Sequence, residues 1–182
     1  RSALKCCDKK TADATDKKTY RQTKTILCGT IGREHRKHGT FSMTANAAYI
    51  TKIGVCLPNE PVDNDHIESV LGQVGDKPSR ARRTILRSNG IEQRHYGIDP
   101  ATGKHNFSNA SLTAAAINEL TDDTFELDSI DCLACGTSIA DQLIPNHAVM
   151  VQGELGLNNC EVVATSGVCL CGISALKYAY MA

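Results

Sequence analysis

Among the nine cysteines of the chain, Cys169 has the setting in which a thiol does chemistry. Val162, Val163 and Thr165 read as a buried strand, Ser166 and Gly167 break it, and the residues from Gly172 onward read as a packed helix. A cysteine at the start of that helix meets backbone N–H groups and the positive end of aligned peptide dipoles. Both favour the thiolate, the nucleophilic form. A buried, inert thiol is the common alternative for a cysteine near a helix start. Cys171, two residues on, is expected to point elsewhere and pack, with a mixed oxidation product with Cys169 as its other reading.

Other spacings hold less. Cys132-x2-Cys135 taken with Cys169-x-Cys171 has the short paired intervals of a zinc site. Cys132 and Cys135 nevertheless fall in an expected strand, where residues three apart point to opposite faces, and no turn residue forms a knuckle between them. No metal is therefore expected. His35 and His38 lie in a polar segment and read as solvated. Arg80, Arg82, Arg83 and Arg87 form a basic helix face, which suits either an ordinary solvated surface or an anionic partner.

The elements that must position these residues follow from periodicity and punctuation. Strands are expected near 48–56, 93–98, 129–136 and 161–165. Helices are expected near 64–71, 80–88 (stopped by Gly90), 109–120 and 146–155 (stopped by Gly156). Ser108 or Asn109 would cap the third helix, with Ala114, Ala115 and Ile117 facing the sheet. Alternation of this kind predicts an α/β fold, a mixed sheet with helices on both faces.

The residues around Cys169 also carry a resemblance. Cys169-Leu170-Cys171-Gly172-Ile173-Ser174-Ala175-Leu176 resembles the nucleophile segment of the thiolase-fold condensing enzymes, where a leucine of the buried helix stands seven positions after the cysteine. Counting back from Leu176 selects Cys169 over Cys171. Upstream, Ala48-Tyr49-Ile50-Thr51-Lys52-Ile53-Gly54, Leu57-Pro58, Asn64-Asp65 and Ile67-Glu68 resemble the opening strand, loop and helix of a β-ketoacyl-acyl-carrier-protein synthase III. Asn89-Gly90-Ile91-Glu92-Gln93-Arg94-His95-Tyr96 is similar to that family's turn and strand motif. Ile130-Asp131 through Gly136-Thr137-Ser138 is similar to its next strand, and Pro145-Asn146-His147-Ala148 with Gly153-Glu154-Leu155-Gly156 to the helix after it. The match covers about residues 46–182, and its strength is the ordered series of motifs. The segment Lys77-Pro78-Ser79-Arg80-Ala81-Arg82-Arg83, with Val168-Cys169 and Ala175-Leu176-Lys177-Tyr178, resembles the dialkylresorcinol or polyketide-lipid branch more than the housekeeping fatty-acid initiator.

The resemblance implies the amino-terminal half of a thiolase-like fold, with a mixed, mostly parallel sheet, and a Claisen condensation. Cys169 would take an acyl group from a thioester, and a malonyl or β-ketoacyl thioester would then attack it. The family completes its site with a histidine and an asparagine from the second half of the fold. All six histidines here precede Cys169, so none takes that role, and the chain alone would acylate slowly without condensing. The resemblance also places the basic helix at the mouth of the pantetheine tunnel, where Arg83 and Arg87 would meet coenzyme A phosphates or an acidic acyl carrier protein. The family's adenine-stacking tryptophan is absent, since the chain has no Trp, and Ser88 stands in place of the usual arginine. A carrier-protein donor thereby gains on coenzyme A. No cofactor is implied beyond these thioesters, and a homodimer or heterodimer is implied for the full-length protein. Two alternatives stand beside this reading: a non-catalytic homologue acting as a partner subunit, and a thiol-redox or metal-binding protein.

Composition bounds the rest. The 182 residues are 41% hydrophobic and 22% charged with no net charge. The neutrality hides an asymmetry: eleven of the twenty Lys and Arg, but four of the twenty Asp and Glu, lie in residues 1–42. That head lacks a sustained apolar period and reads as a disordered basic segment not native to the fold, with residues 43–182 as the domain and Met43 where a start would fall. Without interleaved aromatics or an amphipathic period it is not expected to bind nucleic acid or membrane. No run of about 18 apolar residues occurs. An odd cysteine count, unevenly placed, fits reduced thiols in the cytoplasm better than a disulfide framework.

Overall fold

A computed structural model describes residues 48–73, 75 and 77–182; the basic head expected at 1–42 lies outside them. The strands are β1 (Val62–Asp63), β2 (Gln93–Arg94), β3 (Cys132–Thr137) and β4 (Glu161–Ser166). The helices are α1 (Ile67–Leu71), α2 (Arg82–Asn89), α3 (Asn109–Asn118), α4 (His147–Leu155) and α5 (Cys171–Met181).

β3 and β4 run parallel, from Cys132 beside Glu161 to Thr137 beside Ser166. They are covered by helices on both faces. Period-2 alternation sends Leu133 and Cys135 into the cluster formed with Ala110, Ala114 and Ile117 of α3 and Ala148 and Val151 of α4. The opposite face, with Gly136 and Thr165, meets the start of α5. This matches the α/β architecture expected from the sequence. Full burial of Ile117, Leu133 and Val151 is worth about 1.5–3 kcal/mol for each side chain. Together they hold the layer that presents the β4–α5 junction.

The helix boundaries follow local chemistry. Ser108 caps α3 by accepting the Ser111 N–H at 2.9 Å, and the Ser111 hydroxyl accepts the Ser108 N–H in return. Asn146 caps α4 through the Val149 N–H. Gly90 and Gly156 end α2 and α4 in the left-handed conformation, at φ 66° and 69°. Around α3 the burial differs from expectation. Thr113 and Ala116 are buried with Ala110, Ala114 and Ile117, whereas Ala115 is half-exposed. The helix lies chiefly against α4 rather than on the sheet, which turns its buried face by one position.

The strand expected at 48–56 does not form. These residues have no ladder partner among the described residues, and Tyr49, Ile50 and Ile53 are exposed. The segment is held instead by side-chain anchoring. Lys52 Nζ donates to Leu120 O at 3.2 Å, Asp122 Oδ1 at 2.5 Å and Thr124 Oγ1 at 3.0 Å. Gly54 packs so closely on α3 that a Cβ there would stand 2.2 Å from the Ala116 carbonyl oxygen. The strand expected at 93–98 shortens to Gln93–Arg94 and pairs antiparallel with Val62–Asp63. It forms a second two-stranded sheet separate from β3–β4. Ile98 contributes only an isolated bridge to His105. Among the described residues, no helix is long and apolar enough to cross a membrane.

Candidate functional site

Cys169 lies in the turn that joins the end of β4 to α5, one residue before the helix cap Leu170. Gly167 enters the turn at φ 146°, a backbone state suited to glycine. The Cys171 N–H donates back to Gly167 O at 3.2 Å, and the Ser174 N–H to Leu170 O at 2.9 Å. Among the described cysteines, Cys169 is the exposed one. Val168 and Leu170, on either side of it, are 77% and 71% exposed. Cys169 thus stands at the strand–turn–helix junction expected from the sequence, before a helix that begins at Cys171, one residue earlier than the Gly172 expected.

Cys171 packs, as expected. It is buried, with its thiol donating to Val168 O at 3.5 Å. Its carbonyl accepts the Thr165 hydroxyl at 2.7 Å and presses against Gly136, where a Cβ would stand 2.5 Å from the Cys171 oxygen. Only a glycine at 136 lets α5 approach β3 this closely. Ser138, in the loop after β3, donates its hydroxyl to Val168 O at 2.6 Å. The Thr-Ser pair at 137 and 138 is visible in the sequence, yet the contact spans thirty residues and no local period announces it.

Arg82, Arg83 and Arg87 separate in the structure. Arg82 Nη1 pairs with Glu68 Oε2 at 3.0 Å, while Glu68 Oε1 accepts the Ser79 N–H, so this arginine joins α1 to α2. Arg83 and Arg87 are exposed, on a helix with no buried residue. The extensive packing that builds the Cys169 turn involves β3, β4, α3, α4 and α5. The Asn89–Arg94 motif proves to be scaffold. Arg94 Nη1 donates to Asn64 Oδ1, and Asn64 Nδ2 donates to Ile91 O.

Three of the described histidines make contacts that hold local structure. His66 pairs with Asp63. His95 Nδ1 lies 3.0 Å from Asn59 O. His147 is buried with Nε2 3.3 Å from Thr113 Oγ1. Cys132 is half-buried, and burial, followed by the nearby Glu161 and Cys160, pushes its thiol up. Cys135 faces the core on the other side of the strand. Among the described residues, no three His, Cys, Asp or Glu groups are placed to hold a metal ion.

No family model matches the chain, but individual proteins do. The β-ketoacyl-[acyl-carrier-protein] synthase III of Roseobacter denitrificans is 33% identical over 133 residues, 72% of this chain and 37% of that protein. The protein of the same name from Ruegeria pomeroyi is 31% identical over 135 residues, 74% of this chain and 38% of that one. Among solved structures, AbyA1, a tetronic acid condensing enzyme, matches with a TM-score of 0.54 at 24% identity, over 67% of this chain and 36% of that one. The chain thus spans little more than a third of the length of the relatives it matches. The parallel pair flanked by helices is part of a thiolase-like fold. By sequence, the chain is related to the β-ketoacyl-[acyl-carrier-protein] synthase III enzymes.

Proposed function

We propose that this chain supplies the acyl-accepting part of a condensing enzyme of fatty-acid or polyketide-lipid synthesis, with Cys169 as the nucleophile. The observation that carries this reading is the exposed Cys169 thiol at the β4–α5 junction, in a chain related to synthase III enzymes. The thiolate attacks the carbonyl carbon of an acyl thioester. The tetrahedral oxyanion collapses, the bond from that carbon to the carrier sulfur breaks, and the carrier leaves as a thiol with the proton that Cys169 gave up. Backbone N–H groups near the turn stabilise the oxyanion. The exposed Val168, Leu170 and Ile173 offer apolar surface beside the thiol for an acyl chain.

In the second stage, the carbanion of a malonyl or β-ketoacyl thioester attacks the Cys169-bound acyl carbon and displaces the thiolate. No residue of this chain is assigned the histidine and asparagine that serve that stage in the family. Arg83 and Arg87 are proposed to meet the phosphates of coenzyme A or an acidic acyl carrier protein, since both are exposed cations while Arg82 is committed to Glu68. The chemistry needs no resident cofactor and suits a cytoplasmic enzyme that works as a dimer. The test is capture of a radiolabelled acyl group from acyl-coenzyme A and from acyl carrier protein by the 182-residue chain. Cys169→Ala should abolish capture, and Cys171→Ala should retain it. Equal capture by Cys169→Ala would refute the assignment.

A further inference from the structure

The main chain around Cys169 is fixed from outside its own segment. The Val168 carbonyl, one peptide before the nucleophile, accepts the Ser138 hydroxyl at 2.6 Å and the Cys171 thiol at 3.5 Å. The loop that delivers Ser138 is itself tied down. The Thr137 hydroxyl donates to Ile139 O at 3.0 Å, and Asn109 Nδ2 donates to the same carbonyl at 2.9 Å. Asp141 accepts the Asn109 and Ala110 N–H groups at the start of α3, at 2.8 and 2.9 Å. On the helix side, the Thr165 hydroxyl holds the Cys171 carbonyl at 2.7 Å.

We propose that Ser138 is a positioning residue for Cys169, acting through the Val168 carbonyl. The inference rests on the reading of Cys169 as the acyl acceptor. Gly167, at φ 146°, gives the turn a backbone that can rotate. The side chains on either side of the thiol are exposed and supply no packing to restrain it. The peptide joining Val168 to Cys169 moves as one plane, so fixing its carbonyl also fixes the Cys169 N–H and limits the direction of its side chain. Thr165 restrains the far side of the turn by the Cys171 carbonyl. Without Ser138, the Val168 carbonyl keeps only the weak thiol contact from Cys171, and the near side is otherwise held by the Cys171 N–H on Gly167 O at 3.2 Å.

Acyl transfer requires the sulfur at about 3–3.5 Å from the carbonyl carbon in an aligned approach. Loss of alignment lowers the rate at saturation more than it weakens substrate binding. The Ser138 contact lies on the exposed surface, away from the buried Ile117, Leu133 and Val151. Its loss therefore leaves the core intact.

The test compares Ser138→Ala and Ser138→Thr with the unaltered 182-residue chain. Three quantities are measured: the saturating rate of Cys169 acylation by acetyl-coenzyme A, the half-saturating concentration, and the iodoacetamide labelling rates of Cys169 and Cys135. Ser138→Ala should lower the saturating rate about fivefold, the scale of one net hydrogen bond. Half-saturation and Cys135 labelling should stay unchanged, and Ser138→Thr should restore most of the rate. An unaltered rate in Ser138→Ala, a failure of Ser138→Thr to rescue, or faster labelling of Cys135 alongside the loss would overturn the proposal. If the unaltered chain takes no acyl group on Cys169 from either acetyl-coenzyme A or acetyl-acyl carrier protein, the nucleophile reading fails by itself. The iodoacetamide rate at Cys169 then decides the positioning: slowed by Ser138→Ala and restored by Ser138→Thr upholds it, and unchanged by Ser138→Ala overturns it.

Discussion

Cys169 stands exposed in a turn, while Cys132 is half-buried on β3 beside Glu161 and Cys160. Burial first, and then the negative charge of Glu161, push the Cys132 thiol up, so less of it is thiolate at a given pH. Iodoacetamide near neutral pH should label Cys169 first among the six described cysteines. Cys132 should lag until the pH is raised, as peptide mass spectrometry would show. Equal rates at the two would mean that their surroundings do not set their reactivity. The position of Cys169 at a strand–turn–helix junction was legible in the sequence because a β-branched run, a Ser-Gly break and a helical run all lie within a few residues of it. Ser138 was not, since its partner Val168 is thirty positions away. Arg82 was indistinguishable from Arg83 and Arg87 until α1 brought Glu68 beside it.

At the scale of elements, Ser108 as a cap and Gly90 and Gly156 as stops were readable because they are local, each acting within one turn of its helix. The expected strand at 48–56 failed for the opposite reason. Alternating apolar residues describe a strand, but a strand needs a neighbour to bond, and here Lys52 and Gly54 anchor the segment to the end of α3 with no ladder partner among the described residues. The Asp122 carboxyl is held well below its usual range, chiefly by Lys52 and then by Thr124. A depressed carboxyl contributes stability that is fully present above its unfolded value, and loses it as pH falls through the folded one. Peptic cleavage within 48–58, normalised to the unfolded chain, should therefore increase as pH falls below the ordinary Asp value of 3.8. Asp122→Asn should remove that pH step. Gly136 sets the distance between β3 and α5. Gly136→Ala would put a methyl 2.5 Å from the Cys171 carbonyl oxygen, forcing the helix away at a cost of about 1–3 kcal/mol. Denaturant unfolding should show that loss, and acylation of Cys169 should slow with it because the turn moves with the helix. Unchanged stability in Gly136→Ala would mean that the contact yields freely.

Across the whole molecule, a small core of α3, α4 and β3 supports a surface rich in exposed apolar side chains. Leu143 and Ile144 are 90% and 88% exposed in the loop that follows Ser138, and Val168 and Leu170 flank the thiol. The architecture was legible as alternating strands and helices, whereas the separation into two small sheets depends on pairings that no periodicity encodes. The chain matches about 37% of the length of the Roseobacter synthase III, so acyl transfer to Cys169, the first stage of the proposed reaction, is the step to measure directly. The decisive experiment incubates the 182-residue chain with acyl-coenzyme A or acyl carrier protein, quenches at acid pH, and maps the acyl group by peptide mass spectrometry. An acyl group on the peptide containing Cys169, assigned by fragmentation to that residue and not to Cys171, is the predicted result. An acyl group on another residue, or none on Cys169 when iodoacetamide labels it readily, would contradict its assignment as the nucleophile.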